Sequence, residues 1–469
     1  MPGKARRALR FIDLFAGIGG LRCGFTQAAE KLGLASQCVF TSEVKPHAVR
    51  VLGQNYPGEE IAGDITQIPS EAIPDFDVLL GGFPCQAFSA AGKRMGFADT
   101  RGTLFFEVER IIRDKQPLGF LLENVEGLVK HDRGRTLQTI VGNLRLLGYH
   151  VDYRVLNACE FGLAQDRNRI YIVGTRQRNV SLEGHRAASA TLNCILEQGL
   201  PHHHSPTVDR LLALGPVEKL HGLSLKDKRG GAGNVHSWDI GLKGEVTPRQ
   251  RALLNALLLQ RRKRKWAEEI GIEWMDGMPL TEGQIATFFE DTQLHEMLGD
   301  LVAKRYLSYE HPKQRVEVTG PTGRTGYARV PDPTKPKGYN IVAGKLSYEV
   351  SKILNPNGIA PTLVATDMQR LYVPDGQGLR RLTLREGLRL FGYPESYRLE
   401  VTEQAGFDLL GNTVAVPVVE WVAGRLIEAM NIAAHPSGKN ANWQANSHYG
   451  KSIEIPRWEE IKVLYTRED

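Results

Sequence analysis

The sequence predicts an α/β protein built on a doubly wound, mostly parallel sheet. Over the first 176 residues, short apolar segments alternate with amphipathic helical segments, a pattern typical of strands joined by crossover helices. Glycine-rich or polar residues follow the ends of several apolar segments, where open α/β sheets bind their ligands. The α/β character returns near the C-terminus, after a long region with a different pattern.

The predicted elements follow one another in a regular order. Five apolar segments predict strands: RFIDLF, SQCVFTSEV, FDVLLGGF, LGFLLENV and RIYIVGT. Helices are predicted after AGIGG through residue 32, after Pro46, at GTLFFEVERIIRDK, at GRTLQTIVGNLRLLG, at TLREGLRLFG and after GNTVAVPVV. Pro46 suits a first helical turn, because the N–H that proline lacks would have no helical partner there.

The composition indicates a soluble protein of a reducing compartment. Hydrophobic residues make up 42% and charged residues 24% of the 469 positions, and no apolar run approaches the roughly 18 residues of a membrane helix. The basic N-terminus lacks the apolar core of a secretory signal. Five widely spaced cysteines without a Cys-x-x-Cys pair argue against disulfides and structural zinc, and PHHHS is interpreted as a polar loop. A net charge of +6 permits nucleic acid as a partner.

The region from about 177 to 340 departs from the alternating pattern. TPRQRALLNALLLQRRKRKWAEEIG predicts a helical segment, and its RRKRK run at 261–265 fits a phosphate-contacting patch and a solvated helix face equally well. TEGQIATFF and QLHEMLGDLVAKRYL predict two short helices, and LSYE with RVEVT predicts a hairpin. This order outlines a winged-helix-like segment at 246–330, although plain packing modules have the same outline.

The DLFAGIGG turn, from Asp13 to Gly20, follows a predicted strand and opens a helix. Its glycines allow a tight turn and a close approach of the backbone to a ligand. Glu43 ends the second strand, where an acid can bind ribose hydroxyls, and Asp64 in GDIT can bind an adenine amino group. Together these residues predict a pocket for an adenosyl nucleoside, whereas the glycine turn alone would also suit a nicotinamide cofactor.

A cysteine, Cys85, follows the third predicted strand directly after a proline in GGFPCQAFS. Such a residue is either a small buried hydrophobe or a nucleophile at the ligand-binding edge of the sheet. Glu123 in ENV ends the next strand, and adjacent strands would place it near Cys85, which favours a functional role. QDRNR places Arg167 and Arg169 on one face of an extended chain, where they could orient a carboxylate, bind a phosphate or form a surface ion-pair cluster.

Six motifs resemble, in order, those of the bacterial cytosine-5 DNA methyltransferases: DLFAGIGG, GGFPCQAFS, ENV, QDRNR, RLTLREGLRLFGYP and GNTVAVPV. The resemblance covers residues 11–176 and 340–430. It implies an S-adenosylmethionine-dependent enzyme of the restriction-modification type, with a Rossmann-like catalytic domain of the methyltransferase fold and a smaller, β-rich target-recognition domain. It also implies that the target cytosine leaves the base stack, because its reacting carbons cannot be reached inside a duplex.

The resemblance implies roles for individual residues, with Cys85 adding to carbon 6 of the flipped-out cytosine. The implied catalytic residues are Cys85, Glu123, Arg167 and Arg169. The implied S-adenosylmethionine pocket comprises Asp13, Phe15, Gly17, Gly19, Gly20, Glu43, Asp64, Ile65, Pro84, Leu104, Asn412 and Val414. DNA contacts are expected from Gln86, Ser89, Lys93, Arg94, Arg101, Thr362 and Leu363. No metal is implied.

Five segments are predicted along the chain. They are a catalytic and cofactor-binding domain at 1–176, a variable insert at 177–339, a target-recognition segment at 340–380, a return to the catalytic domain at 381–432 and a C-terminal extension at 433–469. The expected partners are double-stranded DNA and a cognate restriction endonuclease that acts independently. The enzyme is expected to be a monomer of the bacterial cytoplasm, associated with the nucleoid through DNA and without membrane contact.

Three alternatives are less consistent with these motifs. A nicotinamide-dependent oxidoreductase would explain the glycine turn but not Cys85, Glu123 and the arginine pair. A tRNA cytosine-5 methyltransferase shares the motifs, although the long variable insert favours duplex DNA. A DNA-binding regulator without catalytic activity would have no reason to keep Cys85, Glu123 and Asn412 together.

Overall fold

A seven-stranded sheet forms the centre of the computed structural model, which describes residues 7–84, 103–228, 230–231, 233–319, 325–342 and 348–431. Its strands are β1 (Leu9–Leu14), β2 (Ser36–Ser42), β3 (Ile61–Ala62), β4 (Val78–Gly81), β5 (Gly119–Val125), β6 (His150–Asn157) and β7 (Asn168–Thr175). They lie in the order β3-β2-β1-β4-β5-β7-β6. β7 runs antiparallel to both of its neighbours, and the other pairs are parallel. The strand order reverses between β1 and β4, so the predicted doubly wound, mostly parallel sheet is confirmed.

Helices cover this sheet and continue through the variable region. Within the described residues they are α1 (Gly20–Lys31), α2 (Pro46–Asn55), α3 (Thr103–Lys115), α4 (Gly127–Lys130), α5 (Arg135–Leu146), α6 (Pro206–Leu212), α7 (Pro248–Gln260), α8 (Arg264–Ile270), α9 (Glu282–Ala286), α10 (Leu294–Ala303), α11 (Leu384–Leu390), α12 (Glu403–Asn412) and α13 (Val416–Ala429). Pro46 is the first residue of α2, as its sequence position predicts.

The C-terminal helix α13 returns to the sheet and packs against α1. Gly24 of α1 makes the close approach possible, because a Cβ atom at that position would lie 2.6 Å from the Cβ atom of Val419. On the same sheet, buried side chains of α3 and α5, among them Phe105 and Ile140, pack with Leu79 of β4 into one hydrophobic core. Residues from both ends of the sequence therefore complete a single α/β layer structure.

Smaller sheets occupy the variable region and the segment after it. Their strands are β8 (Ser224–Leu225), β9 (Asn234–Val235), β10 (Leu307–Glu310), β11 (Lys313–Thr319), β12 (Thr325–Pro331), β13 (Gly338–Ile341), β14 (Lys352–Ile353), β15 (Leu371–Asp375) and β16 (Gly378–Arg381). Five of them form one sheet in the order β16-β15-β14-β8-β9. We call it the recognition sheet, because β14 and β15 belong to the segment predicted at 340–380. The boundaries of the predicted segments remain a prediction.

The chain between β9 and β14 forms an inserted module with its own hydrophobic core. That core contains Trp238, Leu254, Trp266, Leu298 and Ile341. The elements follow in the order α7, α8, an isolated bridge from Leu280 to Tyr339, α9, α10, β10, the β11–β12 ribbon and β13. β10 and β13 pair antiparallel, and so do β11 and β12. The winged-helix-like character predicted for 246–330 remains a prediction.

Two local predictions in this module are wrong. LSYE pairs with β13 instead of RVEVT, because Pro312 between them offers no N–H to a strand ladder and β11 turns to pair with β12. The predicted helical segment at 247–271 is two helices, and Arg261 ends the first of them with its side chain buried.

The chain divides into two compact units, Ala8–Asn431 and a unit composed of Met1–Arg7 with Ile432–Asp469. The elements above belong to the first unit. Of the second unit only Arg7 lies within the described residues, so the predicted C-terminal extension lies outside them. Among the described helices, none is both long and apolar enough to span a bilayer.

Candidate active site

The chain that leaves β4 lies against the end of β5. A Cβ atom at Gly82 would lie 3.7 Å from the Oε2 atom of Glu123, and the buried side-chain amide of Asn124 donates to the carbonyl oxygen of Phe83 at 3.1 Å. Pro84 follows as the last residue described before position 103. Cys85 comes next in the sequence and lies outside the described residues. The residues that lead to it are thus held beside Glu123.

Glu123 forms a buried ion pair with Arg169. The Nε atom of Arg169 lies 3.1 Å from the Oε1 atom of Glu123, and each side chain is less than 15% exposed. The antiparallel pairing of β5 and β7 places Arg169 opposite Val125, two residues beyond Glu123. Burial raises the pKa of the Glu123 carboxyl, while Arg169 and Arg167 act in the opposite direction. A carboxyl group in such a setting is suited to hold and to release a proton.

Arg167 lies near this pair but bonds elsewhere. Its guanidinium donates to the carbonyl oxygens of Leu363 at 2.9 Å, Thr413 at 2.6 Å and Gly411 at 3.3 Å. The same group lies over the Phe391 ring, and burial lowers the pKa of Arg167 to about 9. The two arginines, predicted to share one face of an extended chain, therefore have different partners. The reason is local, since β7 begins at residue 168 and Arg167 precedes its regular alternation.

Thr362 and Leu363 are hydrogen-bonded to the two residues Gln165 and Asp166, which precede β7. The Thr362 hydroxyl donates to the carbonyl oxygen of Asp166 at 2.6 Å, and the Leu363 N–H donates to the side chain of Gln165 at 3.3 Å. Thr362 is exposed. The Leu363 side chain is fully buried in a hydrophobic core, so the expected DNA contact from this side chain is not consistent with its position.

The glycine-rich turn has the backbone conformation that its sequence predicts. Phe15, Gly17 and Gly19 all have positive φ angles, of 56°, 55° and 72°. The N–H of Gly17 donates to the Oε2 atom of Glu43 at 2.7 Å. At Gly20, a Cβ atom would lie 2.7 Å from the Cγ2 atom of Val414. The turn thus lies against two predicted pocket residues from other parts of the sequence, Glu43 and Val414.

Asp13, at the carboxyl half of β1, is a buried acid without a bonding partner. Its side chain is fully buried, and neither carboxyl oxygen has a hydrogen-bond partner among the described residues. Burial raises the pKa of Asp13 to about 7, against a smaller lowering by Arg22 and together with a raising effect of Glu43. Buried polar atoms without partners are rare in folded proteins. Asp13 therefore fits a site that a polar ligand completes.

The remaining predicted pocket residues differ in exposure. Asp64 is exposed and accepts a hydrogen bond from the Thr66 N–H at 3.0 Å. Asn412 is exposed and donates to the Asp408 carbonyl oxygen at 2.7 Å. Ile65 is buried in the core beneath the sheet, and Leu104 is half-buried.

The DNA-contacting residues expected between β4 and α3 lie outside the described residues. They are Gln86, Ser89, Lys93, Arg94 and Arg101.

Comparison with known proteins identifies the family. The model of the C-5 cytosine-specific DNA methylase family matches residues 9–428. The chain is a cytosine-5 DNA methylase. Its activity is therefore methyl transfer to carbon 5 of cytosine in DNA. This activity excludes the nicotinamide-dependent oxidoreductase, the tRNA methyltransferase and the regulator without catalytic activity.

Relatives of this methylase share most of its length. The chain is 55% identical to the type II methyltransferase M.NlaIV of Neisseria lactamica and 54% identical to M.NgoBV of Neisseria gonorrhoeae, over 90% of this chain and 99% of each relative. It is 40% identical to M.BanI of Aneurinibacillus aneurinilyticus, over 90% of this chain and 96% of the relative. A prophage-encoded DNA modification methyltransferase of E. coli has the same fold, with a TM-score of 0.50 and 21% identity over 90% of this chain and all of that one.

Two positioning residues of the methylase were not predicted from the sequence. Asn124 attaches the exit of β4 to β5, and the Gln165 amide donates to the Leu390 carbonyl oxygen at 3.0 Å while its oxygen accepts from Leu363. Both lie within the quoted motifs ENV and QDRNR. An amide beside a charged residue of a buried strand end is the signal that could have identified them.

Proposed function

We propose that the methylase uses S-adenosylmethionine to methylate a flipped-out cytosine of duplex DNA through a covalent Cys85 adduct. The observation that carries this proposal is the buried Glu123–Arg169 pair beside the chain that leads to Cys85. A thiol directly after this segment and a carboxyl group with a raised pKa supply the nucleophile and the proton-handling group that the chemistry needs.

Cys85 activates the base by addition. Carbon 5 of cytosine is a weak nucleophile, and bonding of the Cys85 thiolate to carbon 6 turns the ring into an enamine whose carbon 5 can attack an electrophile. Glu123 interacts with ring nitrogen 3 and the exocyclic amine, and it shares a proton with the ring as charge develops there. Loss of the carbon 5 proton then restores the ring double bond and expels Cys85 as a thiolate.

Arg169 and Arg167 have different roles in this proposal. Arg169 holds the Glu123 carboxyl in register. It can also reach the ring carbonyl, because it lies at the start of β7, opposite the end of β5. Arg167 is a positioning residue, since its three acceptors come from the recognition segment and from the two residues beside Asn412. It therefore joins the segment that selects DNA to the segment that closes the cofactor pocket.

The residues around the glycine-rich turn fit S-adenosylmethionine. In this proposal the unpartnered Asp13 carboxyl accepts from a polar group of the ligand, Glu43 binds the ribose hydroxyls and Asp64 binds the adenine amine. Phe15, Gly17, Gly19, Gly20, Ile65, Pro84, Leu104, Asn412 and Val414 complete the proposed pocket. S-adenosylmethionine supplies an electrophilic methyl group when it is bound. The chain's part is to hold the donor and the base in line.

The biological role we propose is that of the modification enzyme in a restriction-modification system. Relatives at 54–55% identity are named type II methyltransferases, and this supports protection of a short DNA sequence against a separate endonuclease. In this proposal the enzyme works as a monomer in the bacterial cytoplasm. Gln86, Ser89, Lys93, Arg94, Arg101 and Thr362 are its proposed DNA contacts.

Bisulfite sequencing of DNA from bacteria that express the chain tests this function. Cytosines at one position of one short sequence should resist conversion, and expression of Cys85→Ala should abolish the protection. Cys194→Ala is the matched control, because Cys194 is an exposed cysteine in the variable region. Protection that survives Cys85→Ala would remove the covalent step from the proposal, and an absence of protection with the unchanged chain would contradict the activity in cells.

A further inference from the structure

We propose that the inserted module carries a second DNA-contacting surface that binds backbone phosphates flanking the methylation site. We call this surface the basic ribbon face and define it by Lys313, Arg315 and Arg329 of the β11–β12 ribbon together with the exposed residues Lys263 and Arg264. It adds to the proposed contacts of the catalytic domain and recognition segment.

The first two arginines of the RRKRK run make contacts within the module and with the loop that follows β8 of the recognition sheet. The buried Arg261 guanidinium donates to the Asn340 side chain at 2.7 Å, and Arg262 donates to the Lys228 carbonyl oxygen at 3.0 Å and pairs with Asp276 at 2.9 Å. These two residues of the RRKRK run are thus structural. The bond from Arg262 to Lys228 links the module to the loop after β8, and the other three residues of the run remain exposed.

The helix that this topology would present to DNA has the wrong charge for that role. In helix-turn-helix proteins the second helix of the pair enters the major groove. The corresponding helix here, α10, carries Glu296 and Asp300 and contains neither lysine nor arginine. Glu290 and Asp291 precede it. An approach of this helix to DNA would bring carboxylates toward phosphates, so the DNA-binding surface must lie elsewhere on the module.

One face of the ribbon carries Lys313, Arg315 and Arg329 together with one exposed acid, Glu317, which lies opposite Tyr327. Arg315 lies directly opposite Arg329 in the β11–β12 register, and residues paired in this way point to the same side. Like charges directly opposite each other destabilise a strand pair. Glu273, 3.7 Å from Arg315, offsets only part of this repulsion. An anion held between the two guanidinium groups would remove the rest of it, and a DNA phosphate is such an anion.

Neighbouring residues extend this face. The Arg315 guanidinium lies 3.8 Å from the centre of the Tyr327 ring, which is 64% exposed. The Trp274 indole donates to the Arg262 carbonyl oxygen at 2.8 Å, and the Trp274 carbonyl accepts from Arg329 at 3.3 Å. Trp274 therefore joins the ribbon to the start of the exposed basic run. A two-stranded ribbon also has dimensions that fit along duplex DNA.

Binding to DNA of two lengths tests this proposal. The probes are duplexes that contain the bisulfite-mapped site either alone or with flanks of about 15 base pairs, roughly one and a half helical turns, on each side. Arg315→Gln/Arg329→Gln should bind the long duplex at least about tenfold more weakly than the unchanged enzyme at low salt. The slope of log Kd against log salt should become shallower by about 2, one counterion for each lost phosphate contact.

The matched control removes the same charge from another part of the module. Arg249→Gln/Arg251→Gln changes two exposed arginines of α7, which pair with Asp291 and Asp239, and it should keep the affinity and salt slope of the unchanged enzyme. All variants should methylate the short duplex at the same rate, which separates this surface from the catalytic proposal. If the ribbon variant kept full affinity and salt slope on the long duplex, the basic ribbon face would not be a DNA-binding surface.

Discussion

At the scale of single residues, the Glu123–Arg169 pair determines whether the proton chemistry works. Glu123→Gln keeps the shape and hydrogen-bonding capacity of the side chain but removes its ability to exchange a proton. We expect it to bind DNA and S-adenosylmethionine normally and to turn over about 100- to 10,000-fold more slowly. Single-turnover methylation measures this directly, and near-normal turnover would exclude Glu123 from proton handling.

Asp13 makes the stability of the ligand-free enzyme depend on pH. Its pKa is about 7 in the folded protein and close to the ordinary value of 3.8 when unfolded, so the folded state resists its ionisation. The contribution to stability is therefore full below about pH 4 and decreases as the pH rises to about 7, by a total on the order of 4 kcal/mol. Asp13→Asn should remove this pH-dependent loss. Urea unfolding at pH 5 and pH 8 measures it, and parallel pH profiles for the two proteins would contradict the assignment.

Arg167 is expected to have a structural role and Arg169 a chemical one. Arg167 bonds Leu363 through one terminal nitrogen and Gly411 and Thr413 through the other. Lysine carries its three donors on a single nitrogen and cannot reproduce this arrangement, so Arg167→Lys should lower the free energy of unfolding by about 2–4 kcal/mol. Arg169→Lys keeps a positive charge beside Glu123 at the end of β7 and should mainly reduce turnover. Unfolding curves and methylation rates of both variants test this difference. Equal stability of the two variants would remove the positioning role of Arg167.

At the scale of elements, the packing of α1 on α13 depends on a glycine. Gly24→Ala would place a Cβ atom 2.6 Å from Val419, and this overpacking should cost about 1–3 kcal/mol. Gly142→Ala in α5 is the matched control, because no atom lies within 4 Å of its Cβ position. It should be neutral or stabilise by up to about 1 kcal/mol. Thermal unfolding measures both changes, and a neutral Gly24→Ala would mean that α13 is not closely packed there.

The sequence best predicts the strands that are buried on both faces, because their residues form continuous apolar runs. β4 and β5 are continuous apolar runs, since both of their faces are buried. The edge strand β6 is not predicted, because its half-exposed residues carry no such run. Local sequence patterns also do not predict which strands pair with each other. LSYE looks like a hairpin partner of RVEVT, and only the folded module shows that β13, which follows 27 residues after β10 ends, takes that place.

At the scale of the whole molecule, the site is assembled from distant parts of the chain. Asp13 and Glu43 come from the start, Glu123 and Arg169 from the middle, and Val414 from the return after the variable region. The sequence predicts these residues because each ends a recognisable strand or lies in a recognisable motif. It does not predict the contacts of Arg167, since its three acceptors are backbone carbonyls with no sequence signature.

Trapping with 5-fluorocytosine tests covalent catalysis by Cys85. A duplex with this base at the mapped position has no carbon 5 proton to lose, so Cys85 cannot be released after methylation. The unchanged enzyme and Cys194→Ala should form a denaturation-resistant complex with the duplex in the presence of S-adenosylmethionine, and Cys85→Ala should form none. A resistant complex with Cys85→Ala would exclude Cys85 as the covalent nucleophile. So would the absence of a resistant complex with the unchanged enzyme, if that enzyme methylates the unmodified duplex.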